Sequence, residues 1–384
     1  MNTPEIKKAT AADYEELIDF LNMVFGFNGQ ENDFLKLLPK LYRTQYAPWE
    51  SNYTGKDENG RFMCAVGAYD EEYSVAGETI RFRGIGNVAA HPRSKGKGYM
   101  RAAMDATMAD MIKDGVDFSA LGGLRHRYGY WGFEVSGVRY RFYINSDCIK
   151  HGVKHIEETH VLTFEPLKPE DAEAIAWMNG LREQLPFYCK RSAERTYDVL
   201  CSWKSTPYVV YENGTRVGCF IQSGGTVHDI QLVDDDYLCD LIRQWQKAKG
   251  DYTVILPPYR TAWIDFLTRY SCGPEVISGE SYTVFSYERV CRAFLAAKAS
   301  YEALADGEVT MLIHGFAGDE RLNFRVHNGV PAVTATDKEA DLELTHKEAM
   351  MLIFGVFSPL RTKLGAVERS WFPLPLHTDN ADEV

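Results

Sequence analysis

A chain of 384 residues, 45% hydrophobic and 13% aromatic, is long enough for two or three packed domains. Its net charge of −12 excludes an extended basic surface, and with it nucleic acid as the main partner; cationic partners are favoured instead. No apolar run approaches the roughly 18–20 residues that span a bilayer, and Met1–Lys8 lacks the apolar core of a signal peptide, so a cytoplasmic protein without a membrane partner is expected.

The residues before 150 read as one α+β unit. Pro4–Ala9 has strand character, and Thr10 with Asp13 can cap a helix carrying the apolar stripe Tyr14, Leu17, Ile18, Leu21 and Phe25. After a connection at Phe27-Asn-Gly-Gln, the spacing of Phe34, Leu37, Leu38 and Leu41 predicts a second helix over 33–41. Three antiparallel strands are expected at 61–69, 72–75 and 79–90, the first two joined at Asp70-Glu71. Gly84 and Gly86 inside the last of these suggest a bulge or a ligand backbone lying close.

Next comes Arg93-Ser94-Lys95-Gly96-Lys97-Gly98-Tyr99, a basic glycine loop, and a helix with Met100, Ala103, Met104, Thr107, Met108 and Met111 on one face. Arg93, Lys95, Lys97 and Arg101 bring cations together without an acid between them. Glycines let the backbone approach an anion, and the free amides of a helix start attract phosphate. A strand over 116–121 leads to Tyr128-Gly-Tyr-Trp-Gly132-Phe133-Glu134, and the alternating residues 138–144 form another strand before a polar stretch at 145–158. The first boundary falls near residue 150.

A faint internal repeat follows, since Glu165–Asp171 resembles Ile6–Asp13. It continues as strands 207–212 and 216–222 across Asn213-Gly214, a strand 226–232 and a helix 237–249. Where the first copy carries the basic loop, this one has Val233-Asp-Asp-Asp, whose carboxylates would repel a pyrophosphate. From about 287 the pattern becomes a helix (290–299), a strand (308–314), a hairpin through 324–334 turning at Asn328-Gly329, and Leu342-Glu-Leu before a Thr345…Glu348 capping box. The eight cysteines show neither Cys-x-x-Cys pairs nor nearby histidines at ligand spacing, so no metal and no disulfide framework is expected.

The R-x-x-G-x-G loop at Arg93–Gly98 and the Y-x-x-x-G-F ending at Tyr128–Phe133, in this order with a helix and strand between, resemble the GNAT N-acetyltransferases. The three-part plan resembles the enhanced-intracellular-survival (Eis) group of that family. The resemblance implies tandem GNAT folds, mixed and mainly antiparallel, followed by a sterol-carrier-like α+β domain. The units would be a catalytic one at 1–150, a degenerate one at 151–286, and the sterol-carrier-like one at 287–384. It also implies acetyl-CoA as co-substrate, no metal, a homo-oligomer (trimer or hexamer), and a primary-amine acceptor on a small cationic molecule or a lysine side chain, aminoglycosides included.

On this resemblance Arg93, Ser94, Lys95, Gly96, Lys97, Gly98 and Tyr99 hold the pyrophosphate, and backbone amides at Val88 hold the pantetheine arm. Tyr128, protonated at neutral pH, can donate to the leaving thiolate; the same aromatics equally fit a core, with Tyr130 and His126 as other acids. Eis-type proteins carry Ser where this chain has Gly123. They also bring the C-terminal carboxylate into the active site, which here implies Val384 as base; the polar ending Asp382-Glu383-Val384 equally fits a frayed terminus. Glu134 and His91 are substitutes, and Phe25, Phe27, Trp49 and Tyr53 are candidate walls of the acceptor pocket. His314, His327, His346 and His377 read as surface or core. A non-catalytic acyl-CoA sensor and a lipid carrier built on residues 287–384 are the alternatives.

Overall fold

The computed structural model describes residues 4–27 and 32–384; beyond Phe27, the connection expected at 27–30 lies outside them. Strand β1 is only Lys7–Lys8, and Thr10 and Asp13 close a capping box ahead of helix α1 (Tyr14–Gly26), which buries Leu17, Ile18, Phe20 and Leu21. The helix expected over 33–41 breaks at Pro39, which has no N–H and would strike the carbonyl one turn back. Leu38 leaves helical dihedrals (φ −133°, ψ 62°) between the short turns Phe34–Leu37 and Pro39–Tyr42.

Strand β2 (Asn52–Lys56), unannounced by its polar sequence, pairs with β3 (Phe62–Val75), which pairs in turn with β4 (Glu78–Ala90). Strand β3 runs unbroken through Asp70-Glu71, where a turn was expected. The chain reverses instead at Ala76-Gly77, both at positive φ (48° and 83°), the backbone twist a two-residue hairpin requires. Helix α2 (Tyr99–Lys113) buries Ala103, Met104, Thr107, Met108 and Met111 and returns the chain to β5 (Phe118–Leu121), parallel to β4. Strand β6 is Glu134–Val135.

Strand β7 (Arg139–Ile144) then enters a second sheet. The elements that follow are β8 (Leu162–Pro166), α3 (Ala172–Arg182), β9 (Phe187–Cys189), α4 (Ala193–Cys201), β10 (Thr206–Glu212), β11 (Thr215–Ser223) and β12 (Thr226–Leu232). They continue with α5 (Tyr237–Lys249), β13 (Tyr252–Leu256), α6 (Thr261–Tyr270), β14 (Pro274–Ile277) and β15 (Ser281–Val284). The second sheet has the order β14-β7-β13-β12-β11-β10-β8, in which only β12 and β13 are parallel. Two strands return to the first sheet: β9 joins the edge of β3, and β15 inserts between β5 and β6. Strand β7, from before residue 150, thus lies in the second sheet, and β9 and β15, from after it, lie in the first.

Helix α7 (Tyr287–Ala299) is apolar on nearly all sides, with Val290, Cys291, Ala293, Phe294, Leu295 and Ala297 buried, as a helix packed from both sides should be. Phe294 meets Phe118 of the first sheet and Phe187 of β9 edge-on. The helix also packs against a third sheet of β16 (Gly307–His314), β17 (Asp319–His327), β18 (Val330–Ala335) and β19 (Leu342–Thr345), ordered β18-β17-β16-β19. The expected Thr345…Glu348 capping box is present, and next to it His346 is wedged against the first unit. Its ring lies within hydrogen-bond distance of Thr283 (3.1 Å), the Gly132 carbonyl (2.9 Å) and the Tyr287 hydroxyl (3.0 Å).

The last residues do not fray. Leu374, Leu376, His377, Thr378, Ala381 and Asp382 are all buried, and the tail runs back between the first two units under a set of buried cations. Lys40 Nζ donates to the carbonyls of Ala381 (2.6 Å) and Glu383 (2.5 Å). Arg182 bonds Asp379 (2.7 Å) and Asp382 (2.6 Å), Arg191 bonds Asp382 (2.8 Å) and Asp229 (3.1 Å), and Arg139 bonds Glu383 and the Thr378 carbonyl. The Trp203 indole N–H donates to the Glu383 carbonyl at 3.0 Å. Trp203 has a left-handed backbone (φ 59°), an uncommon state for a bulky residue and one that surrounding contacts must hold in place.

Two predictions follow from this packing. Burial lowers the His346 pKa to about 4, so the folded state keeps it neutral while the unfolded chain takes a proton near 6.5. Stability from this group is complete above pH 6.5 and falls by on the order of 1.4 kcal/mol per pH unit down to about 4; denaturant titrations at several pH values should show a shallower slope for His346→Gln. Removing the Lys40 ammonium orphans the Ala381 carbonyl and leaves the Glu383 carbonyl to Trp203 alone, and a loss of about 2 kcal/mol would raise the open population of the tail roughly 30-fold. Lys40→Ala should therefore let carboxypeptidase shorten a chain that resists it in the wild type, as read by intact mass.

Candidate active site

The glycine loop folds as the sequence requires. Gly96 and Gly98 have φ of 75° and 80°, and a Cβ at either would meet nothing within 4 Å; glycine is needed there for the backbone conformation, not for room. Ser94 is buried, and its hydroxyl donates to the His91 carbonyl at 2.7 Å, so it braces the loop from within and does not face outward. His91 accepts from the Arg93 amide at 3.0 Å and stacks on Phe20, which makes it a cap and removes it as a base. Helix α2 begins at Gly98 with no side chain capping it, so its first amides point free and carry roughly half a positive charge. Arg93, Lys95 and Lys97 are exposed and in no ion pair among the described residues. Free amides, a helix start and unpaired cations together fit the pyrophosphate of a coenzyme A thioester. Tyr99, half-buried, packs in the core beneath the loop.

Beyond the loop the sheet splits. Strands β4 and β5 pair only from Phe82↔Phe118 to Ile85↔Leu121. Residues 86–90 continue along β3 alone, through a register shift where Asn87 turns to φ 39°. Val88 lies half-buried on this unpaired edge, where its backbone can meet an extended arm. The Asn87 amide is held within a buried cluster, 2.9 Å from the Tyr69 hydroxyl and 2.8 Å from Asn52, and Tyr69 bonds Tyr42 at 3.0 Å.

The chain end fills the foot of this split. A Cβ built on Gly84 would stand 2.5 Å from Cγ2 of Val384, and one on Gly86 would stand 3.1 Å from the terminal carboxyl carbon. The two glycines thus leave room for Val384, Gly84 for its side chain and Gly86 for its carboxyl group. Beside it is a cavity of about 210 Å³ lined by Phe82, Leu121, Trp203, Glu280, Glu383 and Val384. Its lining joins apolar Phe82, Leu121 and Trp203 with the acids Glu280 and Glu383, which suits an ammonium on an organic stem. A more open cleft of about 370 Å³ adjoins on the far side of Phe82, lined by Glu71, Glu72, Arg81, Arg191 and Arg195 among others.

Tyr128 packs against the fold of Gly123, where a Cβ would come within 2.6 Å of its ring; Gly123 also has φ 143°. A serine there is sterically shut out, which accounts for the departure from the Eis pattern. The chain before Gly123 is Gly122, whose Cβ position lies 3.6 Å from Glu280 Oε2 at the cavity wall. Burial raises the Tyr128 pKa and keeps its phenol protonated.

Other candidates go elsewhere. Tyr130 is exposed and engaged by Arg101, both as a hydrogen-bond acceptor and under its guanidinium at 4.4 Å; His126 is exposed. Glu134 is buried in ion pairs with Arg125 and Lys347. Phe25 and Phe27 are exposed, Trp49 packs on Tyr14, and Tyr53 bonds Asp110 at 2.8 Å on the helix side of the sheet, so none of the four lines the cavity. Residues that sequence reasoning missed are Lys40, Arg139, Arg182, Arg191, Trp203 and Glu280. All act across long sequence separations, and none sits in a motif.

Residues 5–136 match the Acetyltransferase (GNAT) domain family. No curated protein matches the sequence. Among solved structures, a GCN5-related N-acetyltransferase from Anabaena variabilis superposes with a TM-score of 0.67 at 14% identity, covering 99% of this chain and 98% of that one. A conserved protein of unknown function and probable N-acyltransferase from Enterococcus faecalis gives 0.66 at 14% identity, over 98% of both chains. Eis1 from Mycobacterium abscessus gives 0.64, again at 14% and 98% of both. The chain thus carries a GNAT acetyltransferase domain over residues 5–136, within a full-length fold that it shares with these three structures.

Proposed function

We propose that this protein is an acetyl-CoA-dependent N-acetyltransferase acting on a primary amine, carried by a small cationic molecule or a lysine side chain, with aminoglycosides among the candidates. The observation that carries the reading is the terminal carboxyl group of Val384 seated on Gly86, at the point where β4 and β5 part. Acetyl-CoA supplies the acyl group as a thioester. The free amides at the start of α2, with Arg93, Lys95 and Lys97, hold its diphosphate, and the edge at Val88 orients the acyl carbonyl. The carboxylate of Val384 receives the acceptor's ammonium and holds its nitrogen above the split. Tyr128, kept protonated by burial, donates to the departing sulfur.

We read residues 151–286 as a GNAT-like unit without a cofactor site, and 287–384 as a sterol-carrier-like domain that delivers the tail. The lipid-carrier alternative finds little support, because Met311, Ile313, Leu322, Phe324, Val333 and Leu344 close the interior of the third sheet with buried side chains.

The test is thiol release from acetyl-CoA with aminoglycosides, polyamines and lysine peptides. It is run beside a chain ending at Glu383, which moves the carboxylate by about one residue, or roughly 3.5 Å. That shorter chain should bind acetyl-CoA within a few-fold of the wild type and lose ~100-fold in kcat/KM for the amine. Tyr128→Phe should lower kcat by ~100-fold with the amine KM little changed. Binding of acetyl-CoA without turnover on any amine would favour the sensor reading.

A further inference from the structure

Glu280 immediately precedes β15, whose Ser281 pairs with Leu121 at the end of β5. This places its carboxylate on the β5 arm of the split, against Gly122, while the Val384 carboxyl group lies against Gly86 on the β4 arm. Both acids line the same cavity. Glu280 remains partly open to the cavity, with its side chain 23% exposed. The groups that face it are Glu383 and the terminal carboxylate from the tail, Tyr282 from its own strand, and Arg139 from β7, whose guanidinium stands off at 3.8 Å. Arg139 is otherwise engaged by Glu383 and the Thr378 carbonyl. Glu280 is thus held more loosely than Glu383: it lies 3.8 Å from Arg139 and hydrogen-bonds the Glu383 side chain, while Arg139 binds Glu383 more closely.

We propose that Glu280 is the proton acceptor for the attacking amine, while the terminal carboxylate holds the amine in place. This inference rests on the acetyltransferase reading above. One proton passes from the bound R–NH3+ to a Glu280 oxygen, leaving a lone pair on nitrogen. The C–N bond then forms as the C–S bond breaks, the sulfur takes a proton from Tyr128, and the second proton of the nitrogen leaves through Val384 or water to restore Tyr128. Glu280 returns its proton to solvent, so the balance is amide, free thiol and one proton released. Burial, with the neighbouring Glu383 charge, raises the Glu280 carboxyl to about 7. A base poised there is far better matched to an ammonium than a carboxylate in its ordinary range near 4. Because the unprotonated form is the active one, activity should rise with pH through about 7.

The experiment has two arms. In infrared difference titration of the free protein, a carboxylic-acid band should disappear as pH rises through about 7 and be absent in Glu280→Gln; a wild type without such a band would overturn the proposal with no appeal to activity. In the kinetic arm, Glu280→Gln should keep acetyl-CoA affinity, lower kcat by ~100-fold with amine KM within a few-fold, and lose the acid limb of the pH profile. Glu280→Asp should retain that limb at a reduced rate, which a merely structural role would not produce. Wild-type turnover with an unchanged pH profile in Glu280→Gln would sink the role of Glu280 alone. No thiol release by the wild type with any amine would sink the acetyltransferase reading, and the proton acceptor with it.

Discussion

The structure depends on how a chain terminus is kept in a buried cleft between two units. A free carboxylate and the polar residues before it would ordinarily seek water, and burying a charge without a partner costs far more than packing can return. Here the tail residues Asp379 and Asp382 face Arg182 and Arg191, and the backbone carbonyls of Ala381 and Glu383 face the ammonium of Lys40. Desolvation, with the nearby Arg195 charge, lowers the Lys40 pKa to about 8 against the opposing pull of Asp382 and Glu71. The cation remains because the carbonyls accept its hydrogen bonds. Such an arrangement is strongly coupled, since removing one partner leaves the others charged and dry. What it provides is a defined place for the last carboxyl group of the chain, fixed from residues 40, 139, 182, 191 and 203.

Much of this architecture is legible in the sequence where the signal is local. Gly96 and Gly98 before an apolar-faced helix, the Asn213-Gly214 and Asn328-Gly329 turns, and the Thr345…Glu348 box all report backbone requirements that only certain residues meet, and all are present as expected. Two local errors have local causes. Pro39 outweighed the helical spacing of Leu37, Leu38 and Leu41, and the acids Asp70 and Glu71 sit mid-strand on a ladder that continues past them to Ala76. Acids read as turn formers, yet in β3 Glu71 is salt-bridged to Arg195 and Asp70 to Arg83, so tertiary partners override the weak strand preference.

The candidate site was legible only in part, for a physical reason. A basic glycine loop is contiguous and shows in a few residues, whereas the cavity beside Val384 is assembled from β4, β5, the segment before β15, the strained turn at Trp203 and the tail. No periodicity links Glu280 to Val384, and aromatic residues close in sequence to the first helix look like pocket walls until the fold sends Tyr53 to the opposite face. The exchange of β7, β9 and β15 between sheets is similarly hidden, because strand pairing is chosen by packing partners that a linear pattern does not name.

The second sheet shows what that exchange achieves. It repeats the parallel pairing of the first, β12 beside β13 as β4 beside β5, with a helix between each pair. It even repeats the irregularity: Asp229 in β12 turns to φ 52° at a register shift, as Asn87 does in β4. The side chains at these two places do different things. Asn87 is satisfied inside a neutral cluster, leaving the split beside it free, whereas Asp229 anchors Arg191, which anchors Asp382. At the following loop Asp235 accepts from the Trp263 indole, closing the helix start that in the first sheet stays open and cationic. The same backbone device thus leaves an open edge beside a cationic loop in one sheet and meets the tail in the other. The second sheet thus helps to hold, from a distance, the tail whose last residue the glycines of β4 leave room for.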